Sequence, residues 1–177
     1  MIYYNGKFVK KDVIKAIHYL TVSADNNYSY AQFYLGLIYE EGKYVKRDMD
    51  KAIHYYELSL SQNNRNAILK YAVIYLEGKY VKQDINKAIR YYSIAANLNE
   101  PYAQYVLGLI YITGFIIQRN VNKAIYYFHL SSKQNNTNSQ FILGVFYSKG
   151  EFVLRDIKKA IHYFKEASSL NNQFAKN

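Results

Sequence analysis

Cysteine and tryptophan are absent from the 177-residue chain, and proline occurs once, at Pro101. Without thiols the chain forms no disulfide and no thiolate metal site. No apolar run approaches the roughly 20 residues that a membrane helix needs. Residues 1–7 hold no apolar core of about 7–15 residues, so no signal peptide is expected. The eight glycines fall in two periodic columns, Gly6, Gly42, Gly78, Gly114 and Gly150 in one and Gly36, Gly108 and Gly144 in the other. Every glycine being taken by the pattern, neither a flexible linker nor a phosphate-cradling loop is left. Two glycosylation-type sequons, at Asn27 and Asn135, read as accidents of an Asn-rich chain. A soluble cytoplasmic protein is the expectation.

Half of the residues are hydrophobic, ample for a core, and 23 Lys and Arg against 13 Asp and Glu leave a net charge of +10. That balance suits acidic partners but says nothing of fold. Tyr, Asn, Ile, Lys and Phe are all over-used, as an AT-rich coding sequence produces, so the 22 tyrosines are weak evidence of function by themselves.

What the chain does have is repetition. Lys-Ala-Ile recurs at Lys15-Ala16-Ile17, Lys51-Ala52-Ile53, Lys87-Ala88-Ile89, Lys123-Ala124-Ile125 and Lys159-Ala160-Ile161, each copy 36 residues after the last. A fixed period of this length indicates stacked supersecondary units. The boundaries follow: a partial repeat over 1–27, full repeats over 28–63, 64–99, 100–135 and 136–171, and the start of another over 172–177, all in one continuous body.

Within a unit, Ala31, Leu35, Ile38 and Tyr39 recur at helical spacing and predict helix A over 30–41, stopped by Gly42. After a short loop, Asp48 is placed to cap helix B over 49–62, its carboxylate accepting from free first-turn amides. The cap column reads Asp12, Asp48, Asp84, Asn120 and Asp156. Asn63-Asn64 closes helix B, since Asn tolerates the left-handed conformation of a helix end. Small residues at Gly36, Ala72, Gly108 and Gly144 imply close helix approach, with helix B aromatics set against them. The Lys of Lys-Ala-Ile is expected to project outward.

The pattern Ala31, Leu35-Gly36, Tyr39, Gly42, Val45, Asp48, Lys51-Ala52, Tyr55 resembles a Sel1-like repeat, a relative of the tetratricopeptide repeat. The resemblance covers essentially the whole chain. It departs in having Tyr for the usual helix B Trp and Asn63, Asn99, Asn135 and Asn171 where an inter-repeat Gly is common. It implies an all-α, right-handed solenoid of antiparallel helix pairs whose A helices line the concave side. Proteins of this kind act as adaptors. Met1-Ile2-Tyr3 aligns with Leu37-Ile38-Tyr39, so apolar ends and self-association, or a longer parent chain, are expected.

No catalytic constellation emerges, and neither a cofactor nor a metal is expected. His18, His54 and His162 share one helix B column that points away from the packed face, and His129 stands apart. Packed helices lie about 8–10 Å apart, whereas metal–nitrogen bonds are about 2 Å. The capping aspartates match helix starts too well for paired-carboxylate chemistry.

Two surfaces remain. Lys7, Lys10, Lys11, Lys43, Lys46, Arg47, Lys79, Lys82, Arg119, Lys149 and Arg155 fall in or beside the inter-helix loops and would form a basic ridge, either a solvated rim or a binder of nucleic acid or acidic surfaces. The face of helix A opposite its packed side carries Tyr30, Tyr34, Leu37 and Glu41. Its equivalents are Asn66, Lys70, Val73 and Glu77, then Tyr102, Val106, Leu109 and Thr113, then Asn138, Ile142 and Val145. Columns 30, 34 and 41 change chemistry between copies while the packing columns do not. The expected function is a non-enzymatic protein–protein scaffold holding a peptide or partner helix in this groove, with the basic ridge as the alternative.

Overall fold

The computed structural model of the chain describes residues 12–174, with side chains through residue 169. Among the described residues there are nine helices and no strand, and the chain divides into two compact units, Met1–Asp84 and Ile85–Asn177. The first holds α1 (Val13–Asp25), α2 (Ser29–Glu41), α3 (Met49–Ser61) and α4 (Arg65–Glu77). The second holds α5 (Ile85–Asn97), α6 (Pro101–Thr113), α7 (Val121–Ser132), α8 (Thr137–Lys149) and α9 (Ile157–Phe174). Helices α2, α4, α6 and α8 are the A type and the others the B type.

Helix limits follow the expected chemistry. The side chains of Asp12, Asp48, Asn120 and Asp156 accept from the amides of Lys15, Lys51, Lys123 and Lys159 at 2.9–3.0 Å. The A helices end on Gly42, Gly78, Gly114 and Gly150 at φ 65–72°, a left-handed conformation that costs a β-carbon steric strain. Asn27, Asn63, Asn99 and Asn135 turn each B helix into the next A helix at φ 56–63°. One cap is less visible in sequence: Asn64 closes the turn and also caps α4, accepting from Asn66 and Ala67.

One kind of close contact recurs between an A helix and the B helix that follows it. Gly36 of α2 lies against the ring of Tyr56 in α3, where an added β-carbon would stand 2.4 Å from Cε1. Gly108 meets Phe128 and Gly144 meets Phe164 in the same way. The aromatic column opposing glycine is therefore 56, 128 and 164, one residue beyond the tyrosines at 55, 127 and 163.

Those tyrosines do something else. Tyr39 stacks on Tyr55, Tyr111 on Tyr127 and Tyr147 on Tyr163, with centroids 5.8–5.9 Å apart and planes within 8°. Over the outer ring of each pair sits the ammonium of Lys51, Lys123 or Lys159, at 5.1–5.3 Å from the centroid. The Lys of Lys-Ala-Ile does not simply project outward. It covers an aromatic face and, at Lys51 and Lys159, also approaches the capping carboxylate of Asp48 or Asp156, because the cap column and the tyrosine both lie within reach of its long stem.

Candidate functional site

On α2 the residues Ala31, Gln32, Phe33, Leu35, Gly36 and Ile38 are buried. An A helix has neighbours on several sides, so its open arc is narrow. Tyr30 at 48% and Tyr102 at 44% are well exposed, as are Glu41, Glu77, Thr113 and Asn138. Tyr34, Leu37, Asn66, Lys70, Val73, Leu109, Ile142 and Val145 are half-buried.

The column of Tyr34, Lys70, Val106 and Ile142 is less open than its sequence position implies. Val106 is buried at 9% exposure. Ile142 and Leu109 pack against the cluster of Ala124, Phe128, Leu143 and Phe146. Lys70 reaches back 30 residues to Glu40, its Nζ 2.6 Å from the carboxylate, with both side chains about one-fifth exposed. For Lys70 and Ile142 the physical reason is shared: each leans on the preceding repeat within its own unit, Lys70 on Glu40 and Ile142 on the cluster that holds Phe128. What stays accessible is the 30 column with the 41 column.

In the first unit the crevice is polar. Tyr56 donates its hydroxyl to Glu40 at 2.5 Å, and the Lys70 ammonium lies 5.6 Å from the Tyr56 ring centre. Burial, then the Glu40 hydrogen bond, pushes the Tyr56 hydroxyl far up, so it stays a donor. Two repeats on, the same three columns read Ile112, Phe128 and Ile142, an apolar trio. The two units thus present differently coloured floors on one scaffold.

The basic loop residues separate into two groups. Arg47 donates through Nε to the carbonyl of Glu40 and Arg155 to that of Ser148, both at 3.1 Å, and Gln83 caps Leu76 at 2.8 Å. These side chains satisfy carbonyls that the end of an α-helix leaves open. Arg47 also donates to the Tyr80 hydroxyl at 2.7 Å, and the Arg119 guanidinium lies 4.9 Å from the Phe152 ring centre. Arg47 and Arg119 link their loops to the loop one repeat later, and Arg155 closes the end of its own A helix, so these arginines hold the scaffold rather than a free ridge. Lys43 and Lys79 lie over Tyr44 and Tyr80, while Lys46, Lys82 and Lys149 are exposed. Lys7, Lys10 and Lys11 lie outside the described residues.

His18, His54 and His162 are exposed, as their column predicts. His129 is not simply apart: its Nδ1 is 3.1 Å from the Tyr163 hydroxyl, and the Tyr147 ring is beside it. Burial, with Lys133 and Lys159 adding, pushes its imidazole below the usual value. No group of three or more His, Asp or Glu suited to a metal is found among the described residues.

Sequence reasoning also passed over the buried glutamines. Gln32, Gln104 and Gln140 donate to the carbonyls of Ala24, Ala96 and Ser132 at 3.1–3.3 Å, tying each A helix to the B helix before it. Gln62 and Gln134 then donate to Gln32 and Gln104 from the following B helix. The signal was present, a polar residue recurring in a column otherwise flanked by core.

The Sel1 repeat family model matches residues 1–28, 29–64, 65–100, 101–136 and 137–172. Among solved structures, a Sel1 repeat protein from Oxalobacter formigenes aligns at TM-score 0.88 with 29% identity, over 96% of this chain and 69% of that one. The protein c5321, a protective antigen of uropathogenic Escherichia coli with an SLR fold, aligns at 0.81 and 26% identity over 87% of this chain; the chain spans 33% of that protein's length. Cysteine-rich protein B of Helicobacter pylori aligns at 0.53 and 27% identity, over 73% of this chain and 92% of that one. No curated protein sequence matches significantly. No helix among the described residues is long and apolar enough to cross a membrane.

Proposed function

We propose, because the chain belongs to the Sel1 repeat family, that it is a protein–protein interaction scaffold whose A helices hold a peptide or a partner helix. Sel1 repeat proteins are generally interaction scaffolds, and the repeat is a non-catalytic fold. The observation that carries the reading is the contrast within helix A. Small and apolar residues recur at the buried positions, while the open column reads Tyr30, half-buried Asn66, Tyr102 and Asn138 and its companion Glu41, Glu77 and Thr113. A uniform scaffold with a variable open face is what selective recognition requires, and exposed tyrosines supply large contact area at small entropic cost. Leu37, Val73 and Val145 give each face an apolar margin.

The basic-loop alternative loses ground on one point: its arginines are occupied by helix carbonyls and neighbouring rings. The cytoplasmic placement read from the sequence belongs to the same proposal. Affinity capture from the native cell, followed by titration with Tyr30→Ala/Tyr102→Ala/Asn138→Ala, tests it. At least ten-fold weaker partner binding with helicity unchanged, and a shallow dependence on salt, is the expected result. Undiminished binding, or a steep fall between low and physiological salt, would favour the loops instead.

A further inference from the structure

We infer that the loops following α6 and α8, residues 114–120 and 150–156, form an edge that docks on an anionic lipid surface, apart from the faces of the A helices. Phe115 is 91% exposed and Leu154 92%, so both side chains stand almost wholly in solvent. Large apolar side chains left outside a fold forfeit burial that a second phase can supply.

The internal repeat serves as the control. The column of Phe115 reads Lys43, Lys79 and Glu151 in the other described copies, and that of Leu154 reads Lys46, Lys82 and Gln118. All six of these residues are exposed. The two positions therefore face solvent in every described copy, including copies that another repeat follows, and the exposure of Leu154 is a property of the loop. Polar residues fill both columns except at Phe115 and Leu154, and these two exceptions fall on neighbouring loops of one unit.

Local geometry keeps them outside. The column between them turns inward: Tyr44, Tyr80 and Phe152 are half-buried. Phe152 packs edge-on against Phe146 at 5.1 Å and takes the Arg119 guanidinium over its ring, which ties the two loops together. It does so at φ 69°, a left-handed backbone uncommon for a residue with a β-carbon. Phe152 and Val153 join the cluster around Phe128, and Leu154 is left with no core to enter. Beside Phe115, Ile116 is 41% exposed, where the first unit has half-buried Tyr44 and Tyr80.

The surrounding charge identifies the occupant. Residues 114–123 and 149–159 carry six Lys and Arg against Glu151 and Asp156. Lys123, Lys149 and Lys158 are exposed, in the first turn of α7, at the last residue of α8 and in the first turn of α9. All three lie at the loop end of their helices. Their long stems let the ammonium groups meet headgroup phosphates while the apolar tips enter the acyl boundary. Apolar insertion and basic attraction together are the two signals that stable contact with a bilayer needs. A bilayer takes protruding side chains without a matching pocket, whereas a second copy of the chain would present the same positive edge and be repelled.

The full chain is sedimented with vesicles of phosphatidylcholine and phosphatidylserine mixed two to one, and with vesicles of phosphatidylcholine alone. Saturable binding to the mixed vesicles, at least ten-fold weaker to the neutral ones, is the expected result. The deciding variant is Phe115→Lys/Leu154→Lys, which installs the residues that the first unit carries at these columns, with helicity checked by circular dichroism. Insertion predicts at least ten-fold weaker binding to the mixed vesicles despite two added positive charges. Adhesion by charge alone predicts tighter binding, which would overturn the inference. Because the chain has no tryptophan, Phe115→Trp supplies a single indole whose emission should move to the blue on the mixed vesicles. An unmoved emission, or no vesicle binding by the parent chain, would also overturn it. So would a dimer by light scattering, or a captured protein partner, that Phe115→Lys/Leu154→Lys abolishes, since the tips would then belong to a protein interface. Tyr30→Ala/Tyr102→Ala/Asn138→Ala should bind the vesicles as the parent does, so this inference and the reading of the A helices fail separately.

Discussion

Lys70 of α4 and Glu40 of α2 lie in adjacent repeats, yet their charged atoms are 2.6 Å apart in a crevice that leaves about one-fifth of each side chain exposed. Tyr56 completes the group through its hydroxyl. Seventy-two residues later, all three have become apolar at once, as Ile142, Ile112 and Phe128. An ion pair in such a place is sustained by geometry, and removing one partner strands the other.

Lys70→Ile alone should therefore destabilise the chain by about 1–2 kcal/mol, since the Glu40 carboxylate loses its counter-charge. Glu40→Ile/Lys70→Ile should recover much of that loss, following the arrangement around Phe128. Urea denaturation of the two single variants and the double variant gives the coupling; strict additivity would show that the pair contributes nothing as a pair.

Gly36→Ala should cost about 1–3 kcal/mol, because a β-carbon would meet the Tyr56 ring at 2.4 Å and overpacking forces a shift of ring or helix. Tyr56→Leu in the same chain should relieve the clash, although it forfeits the hydrogen bond to Glu40. Thermal denaturation of the pair distinguishes this from a loss of helix propensity, for which alanine would stabilise instead.

Asn63 sits at φ 56°, where a β-branched residue is strained. Asn63→Val should cost about 1–2 kcal/mol, and Asn63→Gly should stay within about 0.5 kcal/mol of the parent. Equal stability of the two variants in urea melts would show that the turn relaxes to another conformation.

Stability should fall as pH drops from about 6.5 toward the lower folded value of His129. Burial and the facing cations lower that value, so the folded state binds fewer protons than the unfolded state across this window, and stability rises with pH there. The groups facing the ring are the Tyr163 hydroxyl, the Tyr147 ring, Lys133 and Lys159. His129→Gln should remove this part of the pH dependence in melts between pH 5 and about 7. An unchanged slope would assign it to other groups.

The fold was legible because the period is exact and the columns are chemically sharp. Gly42 and Asp48 mark a helix stop and a helix start, and both sit where their conformational and capping roles place them. The site was less legible because sequence position gives direction around a helix but not the size of its neighbours. Val106 and Ile142 lie in a column that looks open on a helical wheel, yet Val106 is buried and Ile142 packs against the cluster of the preceding repeat. Arg47 reads as a surface charge until its reach to the Glu40 carbonyl and Tyr80 is known. The Lys of Lys-Ala-Ile reads as outward, though its stem is long enough to lie across Tyr39. At Arg47 and Lys51 a long side chain chose a partner seven to thirty-three residues away, which periodicity alone does not encode.

The central claim is that the A helices carry the binding surface. Hydrogen–deuterium exchange of the full chain with and without its captured partner tests it most directly. Added protection is expected in residues 29–41, 65–77, 101–113 or 137–149, with residues 43–47, 79–83 and 115–119 unchanged. Protection confined to those loops, with the A helices unaffected, would contradict it.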